Sequence, residues 1–182
     1  MRKSRLGMFV MLAIAVCTAV CVAQEQEKEK KPLSPPAEAS VKFDDGKTVT
    51  IQYSRPSMRS RKIFGGLVPY DQVWRTGANS ATSLKTNADL IIGGASVPAG
   101  SYTLYTLPGM KGWKLIINKQ TGQWGTEYSE GQDLARVDMK VSQKPSGTET
   151  FTISLDQTSA NSAVLKLDWE NTIASVEVQE KK

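Results

Sequence analysis

Apolar and polar residues alternate with a period of two along most of the chain after residue 40. Val49, Ile51 and Tyr53 share one face, for example, and the residues between them are polar. Because successive side chains of a β-strand lie on opposite sides of a sheet, this alternation predicts strands with one buried and one solvated face. The pattern recurs at 113–117, 136–141, 150–155, 165–170 and 176–178.

Turn-forming residues separate these runs. Asp45-Gly46 predicts a hairpin between strands at 40–43 and 48–54. Further turns are predicted at Gly93-Gly94, Pro98-Ala99-Gly100, Pro108-Gly109, Thr121-Gly122, Pro145-Ser146-Gly147 and Glu170-Asn171. Only short helical turns are expected, near 70–74 and 130–134. The predicted fold class is therefore all-β: an antiparallel β-sandwich, jelly-roll-like or barrel-like, with one long irregular connection rich in Arg and aromatic residues.

The alternation also predicts which side chains form the core. Trp113 and Trp169 are in phase with the buried positions of their strands, so we expect both to pack inside. The other predicted core residues are Ile51, Tyr53, Leu104, Leu115, Ile117, Val137, Met139, Phe151, Ile153, Leu155, Leu165 and Leu167.

The N-terminus has the layout of a secretory signal peptide. A basic start, Arg2 to Arg5, precedes an uncharged apolar run that ends near Ala23. We expect residues 1–23 to be the signal and cleavage to follow Ala23. An uncleaved anchor and a lipid-modified cysteine, at Cys17 or Cys21, are the alternatives. After cleavage no membrane span remains, and the protein is expected in the periplasm or outside the cell.

Residues 24–39 are rich in Glu, Lys and Pro and contain a single large apolar residue, Leu33. Such a segment buries too little apolar area to offset the entropy of ordering it. It is predicted to be a flexible spacer before a single β-sandwich domain at 40–182.

Composition excludes several chemistries. The chain has no His, so it cannot form a Ser-His-Asp triad or a His-ligated metal site. Loss of Arg2, Lys3 and Arg5 with the signal reduces the 23 basic residues to 20, against 18 acidic residues. This near balance gives no reason to expect a nucleic-acid partner. Both cysteines also leave with the signal, so the mature chain is expected to contain none.

The segment 54–82 departs from the alternation. Five basic residues, Arg55, Arg59, Arg61, Lys62 and Arg75, are interleaved there with Phe64, Tyr70 and Trp74. A long connection in a compact domain is often functional, and guanidinium groups bind carboxylate, phosphate or sulfate. The ligand-binding candidates are Trp74, Arg75, Asn79, Trp124 and Arg55. The alternative is structural, and we favour it for Arg75: an ion pair with a carboxylate such as Asp71, while Trp74 plugs one end of the sandwich.

Trp124 lies in the Gly-flanked sequence Thr121-Gly122-Gln123-Trp124-Gly125 and is the tryptophan expected at the surface. If it meets Trp74 near Arg75 and Asn79, the four residues form a cleft for a small polar or anionic ligand.

Without His or Cys, the remaining catalytic groups are carboxylates, Lys, Tyr and Ser. Asp71, Glu127, Glu130 and Asp133 are loop carboxylates, and a suitably spaced pair could hydrolyse glycosides. No Asp-x-Asp-x-Asp loop occurs, so the sequence predicts no metal site and no cofactor.

Several runs of residues closely resemble the bacterial family known as domain of unknown function 2911. They are Ser54-Arg55-Pro56, Arg61 to Tyr70, Val73 to Asn79, Val97 to Tyr102, Asn118-Lys119, Gln123-Trp124-Gly125 and Leu167 to Thr172. The resemblance covers about Ser40 to Val178. It implies an exported bacterial protein, often with a signal peptide or lipoprotein anchor, and it assigns no catalytic residue. Three functions remain open: binding of a small polar ligand or glycan, binding of an envelope protein, and, as the enzymatic alternative, carboxylate-dependent hydrolysis.

Overall fold

Nine β-strands account for most of residues 32–182, the part of the chain that the computed structural model describes. They are β1 (Pro36–Lys42), β2 (Thr48–Ser54), β3 (Thr82–Thr86), β4 (Leu90–Ile92), β5 (Ala95–Val97), β6 (Gly100–Pro108), β7 (Trp113–Asn118), β8 (Asp133–Ser159) and β9 (Ser162–Glu180). A single turn of 3₁₀ helix, Glu130–Gln132, precedes β8. Among these residues there is no helix long and apolar enough to cross a bilayer.

The strands form one antiparallel sheet in the order β1-β2-β3-β6-β7-β8-β9-β4-β5, so the all-β antiparallel prediction is confirmed. Strands β1 and β5 lie at its two ends, and the sheet is not closed into a barrel. The predicted hairpin at Asp45-Gly46 joins β1 to β2, with Val41 opposite Val49. Gly46 has a φ of 91°, a conformation that glycine adopts without steric cost.

Strand β8 links the two halves of the sheet. Its first part, up to Met139, pairs with β7, and its remainder, from Lys140, pairs with β9. The two halves of the sheet face each other, as the contact between Tyr53 on β2 and Phe151 on β8 shows. The two rings pack edge-on with centroids 5.7 Å apart. The Ile153 backbone N–H donates to the Tyr53 hydroxyl at 2.9 Å. The arrangement is that of a β-sandwich.

The predicted turns at 145–147 and 170–171 are wrong, because the chain does not reverse direction at either position. Both β8 and β9 run through these positions, and the pairing shifts from Gln143 opposite Thr172 to Thr148 opposite Glu170. Four residues of β8, 144–147, therefore lie opposite one residue of β9, Asn171, and form a bulge in β8. The turn-forming residues at these positions bend two strands that continue on both sides of the bulge.

All twelve predicted core residues are buried, and so are Trp113 and Trp169. The outer face of β7 is also covered, which one-face alternation does not predict. Ile116 is fully buried there, and Tyr105 of β6 packs against Tyr128 with ring centroids 4.9 Å apart. The connection from β7 to β8 lies over this face, held by the Asn118 Nδ2, which donates to the Ser129 carbonyl at 2.8 Å.

The expected spacer ends earlier than residue 39. Strand β1 begins at Pro36, which pairs with Ser54, and Ala39 is buried in the core. Residues 36–39 therefore belong to the sheet, because even small apolar side chains alternate in phase with the core. The predicted signal peptide, 1–23, and residues 24–31 of the spacer lie outside the described residues.

Candidate functional site

The irregular connection between β2 and β3, residues 55–81, is attached to the sheet at several points. Met58 donates its backbone N–H to the Glu149 carbonyl at 2.8 Å, and Phe151 donates to the Pro56 carbonyl at 2.9 Å. This stretch thereby extends the pairing of β8. The connection is a structured element, and its side chains are held in defined positions.

Residues Ile63-Phe64-Gly65-Gly66-Leu67-Val68 form a tight loop, and its geometry accounts for the apolar residues and for Gly65. Ile63, Phe64 and Val68 are buried, and the Val68 N–H donates to the Ile63 carbonyl at 2.9 Å. Gly65 has a φ of 77°, and a Cβ there would lie 2.6 Å from the Tyr70 ring. Leu67 at the tip stays 46% exposed.

Glu170 binds this loop to β9, next to the bulge of β8. Its two carboxylate oxygens accept the backbone N–H groups of Ile63, at 3.1 Å, and Phe64, at 3.4 Å. The carboxylate is therefore occupied by the backbone of the loop.

Strained backbone is concentrated in the same connection. Of the six described non-glycine residues with positive φ, five lie here: Arg59, Ser60, Asp71, Thr76 and Asn79. Thr76, next to Arg75, is β-branched and fully buried with a φ of 54°. Its carbonyl accepts a hydrogen bond from the Thr82 hydroxyl at 2.8 Å. Such strain costs about 1–3 kcal/mol per residue and occurs most often at functional sites.

A groove of about 390 Å³, here called the Arg75 groove, lies beside this strained backbone. Its lining comes from the N-terminal segment, the irregular connection and β9: Leu33, Ser34, Pro56, Arg61, Leu67, Val68, Trp74, Arg75, Gly77, Ala78, Asn79 and Trp169. Two arginines are present, and no described lining residue is an Asp or Glu. Leu33 and Leu67, both exposed, add apolar surface.

The two tryptophans that line the groove belong to a cluster of packed aromatic side chains. Trp74 stacks on Trp169 with centroids 5.7 Å apart and an interplanar angle of 19°, and it meets Phe151 edge-on at 5.1 Å. Phe64 packs against Trp113 at 4.7 Å. Trp74 thus packs mainly against other aromatic rings, as the structural interpretation expected, and it also lines the groove.

The ion pair between Arg75 and Asp71 is not present, so the interpretation that we favoured for Arg75 is wrong. No ion pair between described residues includes Arg75, and its buried Nε has no hydrogen-bond partner. Leaving a buried donor unpaired costs about 1–3 kcal/mol, more for a charged group. Asp71 instead lies in an exposed turn, where its backbone N–H donates to the Pro108 carbonyl at 2.8 Å.

Gly125 packs directly against Arg75. A Cβ at Gly125 would overlap the Cδ of Arg75 and lie 2.6 Å from the Asn79 carbonyl, which already accepts the Gly125 N–H at 3.2 Å. Sequence reasoning noticed the glycine-flanked loop around Trp124 but missed this role, because the contact joins segments 50 residues apart.

The structure brings together three of the five predicted ligand residues: Trp74, Arg75 and Asn79 line the groove. The Asn79 Nδ2 also donates to the Ser34 carbonyl and the Ser54 hydroxyl, each at 3.4 Å. Trp124 is at the surface, as predicted, and 53% exposed; its backbone bridges to Ser80, but it is outside the lining.

Arg55 lies outside the groove as well. Its guanidinium donates to the Phe151 carbonyl at 3.2 Å and to the Thr152 hydroxyl at 2.9 Å, which ties the end of β2 to β8. Sequence reasoning did not select Arg61 or Leu33 as ligand residues. Leu33 is the one large apolar residue of the expected spacer, and that was the signal available in the sequence.

The four loop carboxylates do not line the groove. Glu130 and Asp133 both pair with Arg136, at 2.9 Å and 2.8 Å. Asp133 also accepts a hydrogen bond from the Tyr128 hydroxyl at 2.6 Å. Burial raises the pKa of Tyr128 to about 12, and this hydrogen bond is the second largest cause. Across residues 32–182, no group of three or more Cys, Asp or Glu side chains could hold a metal ion.

A second depression, of about 350 Å³, lies beside β8 and β9 and includes Asp138, Lys140 and Glu177. Charges of both signs are present, and Asp138 is already paired with Lys114 at 2.6 Å. It therefore has no single charge preference, unlike the Arg75 groove.

These features define a β-sandwich domain with one arginine-containing groove built on an aromatic cluster. The chain belongs to the family described as "Protein of unknown function (DUF2911)", whose model matches residues 34–178, and the resemblance noted from the sequence is confirmed. No curated protein and no solved structure matches the chain.

Proposed function

We propose that this protein is a non-catalytic binding module whose Arg75 groove takes a small polar ligand with an anionic group. The observation that carries the proposal is the buried Arg75 Nε, which has no partner in a groove without a described carboxylate. A carboxylate, phosphate or sulfate would accept hydrogen bonds from this guanidinium and compensate its charge.

The rest of the groove fits a ligand with a carbon skeleton. Trp74, Leu33 and Leu67 provide apolar surface beside the two arginines, and Asn79 is a polar neighbour. A sugar acid or sugar phosphate combines an anionic group with apolar ring faces, and about 390 Å³ is within the range of small-molecule sites. A broad apolar patch, rather than a charged groove, would favour an envelope protein as the partner.

Export is part of the proposal. The basic start and the apolar run before Ala23 support a cleaved signal peptide, and the family resemblance implies the same destination. A binding module in the periplasm or outside the cell would meet soluble sugar acids and phosphates without competition from the cytoplasmic pool.

Thermal unfolding and calorimetric titration of the full chain test the binding proposal. The probes are galacturonate against galactose, and glucose 6-phosphate against glucose, so that each pair differs mainly in one anionic group. A bound anion stabilises the native state by mass action, so we expect a rise in Tm with at least one charged probe and none with its neutral partner.

Two variants complete the test. Arg75→Gln should abolish the response, because it removes the guanidinium and keeps a polar side chain. Lys62→Gln is the matched control, since Lys62 is exposed, belongs to the same connection and lies outside the groove lining. Equal responses to charged and neutral probes, or an unchanged response in Arg75→Gln, would refute the proposal.

A further inference from the structure

We infer that the ligand of the Arg75 groove carries two anionic groups, one held by Arg75 and the other by an adjoining compartment formed by Arg59 and Arg61. The inference rests on the proposed function and specifies its ligand class. We call this second space the outer compartment.

The outer compartment adjoins the Arg75 groove. It has a volume of about 150 Å³ and is lined by Leu33, Ser34, Pro56, Ser57, Arg59 and Arg61, four of which also line the groove. This space is smaller than the Arg75 groove, which measures about 390 Å³, and it has room for a carboxylate or phosphate. We therefore assign to it the charged end of a ligand whose body lies in the groove.

The charges of Arg59 and Arg61 are not neutralised within the described part of the chain. The Arg61 Nε donates to the Met58 carbonyl at 2.9 Å and its Nη2 to the Ser57 carbonyl at 2.8 Å. These bonds orient the guanidinium without compensating its charge, and neither arginine belongs to an ion pair between described residues. With Arg75, three arginines thus line the two adjoining spaces.

One carboxylate lies close by and does not change this conclusion. The Glu149 Oε1 accepts the backbone N–H of Arg59 at 2.9 Å, but Glu149 forms no ion pair with the guanidinium and does not line either compartment. The Arg59 Nη2 instead donates to the Leu33 carbonyl at 3.1 Å, which holds the N-terminal segment at the edge of the compartment.

The backbone that presents these arginines is itself strained. Arg59 and Ser60 are consecutive residues with φ of 50° and 60°, and neither is glycine. A left-handed conformation disfavours each by about 1–2 kcal/mol, and such strain is typical of binding sites. This turn places Arg59 and Arg61 on the same compartment.

Two matched pairs of six-carbon probes test the inference on the full chain: galactonate against galactarate, and glucose 6-phosphate against glucose 1,6-bisphosphate. Each pair differs by one anionic group at the far end of the molecule. We expect the probe with two anionic groups in one of these pairs to bind about tenfold tighter than the probe with one, which corresponds to about 1.4 kcal/mol. The pair that shows the gain identifies the anion as carboxylate or phosphate.

Variants connect the gain to the outer compartment. In Arg59→Gln/Arg61→Gln the probe with two anionic groups should bind only as tightly as the probe with one, while binding of the probe with one anionic group persists. Lys62→Gln should keep the full gain. Because Arg61 also holds the turn through two carbonyls, Arg59→Lys/Arg61→Lys is a second variant that retains the charge and should retain part of the gain; Tm verifies that both variants fold.

The outcomes separate this inference from the proposed function. If the two probes of each pair bind with affinities that agree within about twofold, the statistical factor expected for the symmetric galactarate, the inference is overturned, and so it is by a gain that survives Arg59→Gln/Arg61→Gln. In both cases, Arg75-dependent binding of a probe with one anionic group would leave the proposed function standing. Absence of binding by all four probes would overturn the inference, and if galacturonate also failed to bind, the proposed function would be overturned with it.

Discussion

The backbones of Trp74 and Thr106 are joined by two reciprocal hydrogen bonds: the Trp74 N–H donates to the Thr106 carbonyl at 2.8 Å, and the Thr106 N–H donates to the Trp74 carbonyl at 2.9 Å. Thr106 lies in the central strand β6, so this pair attaches the irregular connection to the sheet one residue before Arg75. The backbone next to Arg75 is therefore held in place by the sheet, and the position of the unpaired Arg75 Nε is defined by the fold.

Arg75→Ala should change the free energy of unfolding by less than about 1 kcal/mol, because relief of the unpaired donor offsets the loss of side-chain packing against Gly125, and no ion pair is broken. Arg55→Ala should cost about 1–3 kcal/mol, since the Arg55 guanidinium donates to two groups of β8. Urea denaturation of both variants measures the difference. A loss of 3 kcal/mol or more for Arg75→Ala, about the cost of breaking a buried ion pair, would mean that Arg75 has a partner in the folded protein.

Gly125→Ala should destabilise the protein by about 1–3 kcal/mol, because the added methyl group meets Arg75 and the Asn79 carbonyl. It should also abolish the Arg75-dependent response to anions by displacing the guanidinium. Gly131→Ala is the control, since a Cβ there meets nothing within 4 Å. Denaturation and titration with the charged probes measure both effects. Equal stability of the two variants would contradict the contact.

Leu165→Ala should cost about 2–5 kcal/mol as a large-to-small change in the core, where Leu165 is 2% exposed. Lys166→Ala, on the opposite face, should stay within about 0.5 kcal/mol, because its pair with Asp156 is solvent-exposed. Chemical denaturation of the two single variants tests the register of β9. Similar losses in both would mean that the register is wrong.

Tyr128 should be the last tyrosine to ionise, with a pKa of about 12. A raised folded pKa favours the protonated form, so the Tyr128 contribution is complete below pH 10, the unfolded pKa, and is lost as pH rises toward 12. The absorbance of tyrosinate, followed during alkaline titration, should lose its highest step in Tyr128→Phe. Burial also raises the pKa of Tyr102 and Tyr105, and both of their steps should remain in the variant.

The exported protein should begin at Gln24 and contain no thiol, because both cysteines precede Ala23. Mass spectrometry of the secreted or periplasmic chain tests this. With no disulfide to constrain the unfolded state, Tm should not respond to a reductant. A diacylglyceryl group on Cys17 or Cys21 would instead show that the chain is a lipoprotein.

The sequence by itself determined the core-facing side of the alternating segments, although it placed turns within β8 and β9 where the strands continue. Val49, Ile51 and Tyr53 are buried because side chains alternate along a strand and the apolar set must face the core. This rule is local, and so is the chemistry of the turn at Asp45-Gly46. The same alternation correctly placed Trp113 and Trp169 in the core, and the Gly-flanked loop correctly placed Trp124 at the surface.

Only the tertiary structure decided how these strands build a groove. Leu33 and Trp169, which both line it, are more than a hundred residues apart in the chain, and their meeting depends on which strands pair and where β8 and β9 bend. Whether Arg75 has a carboxylate partner is likewise a matter of non-local geometry. The alternating pattern specifies the face on which each side chain lies, but it carries no information about the distant segment packed beside it.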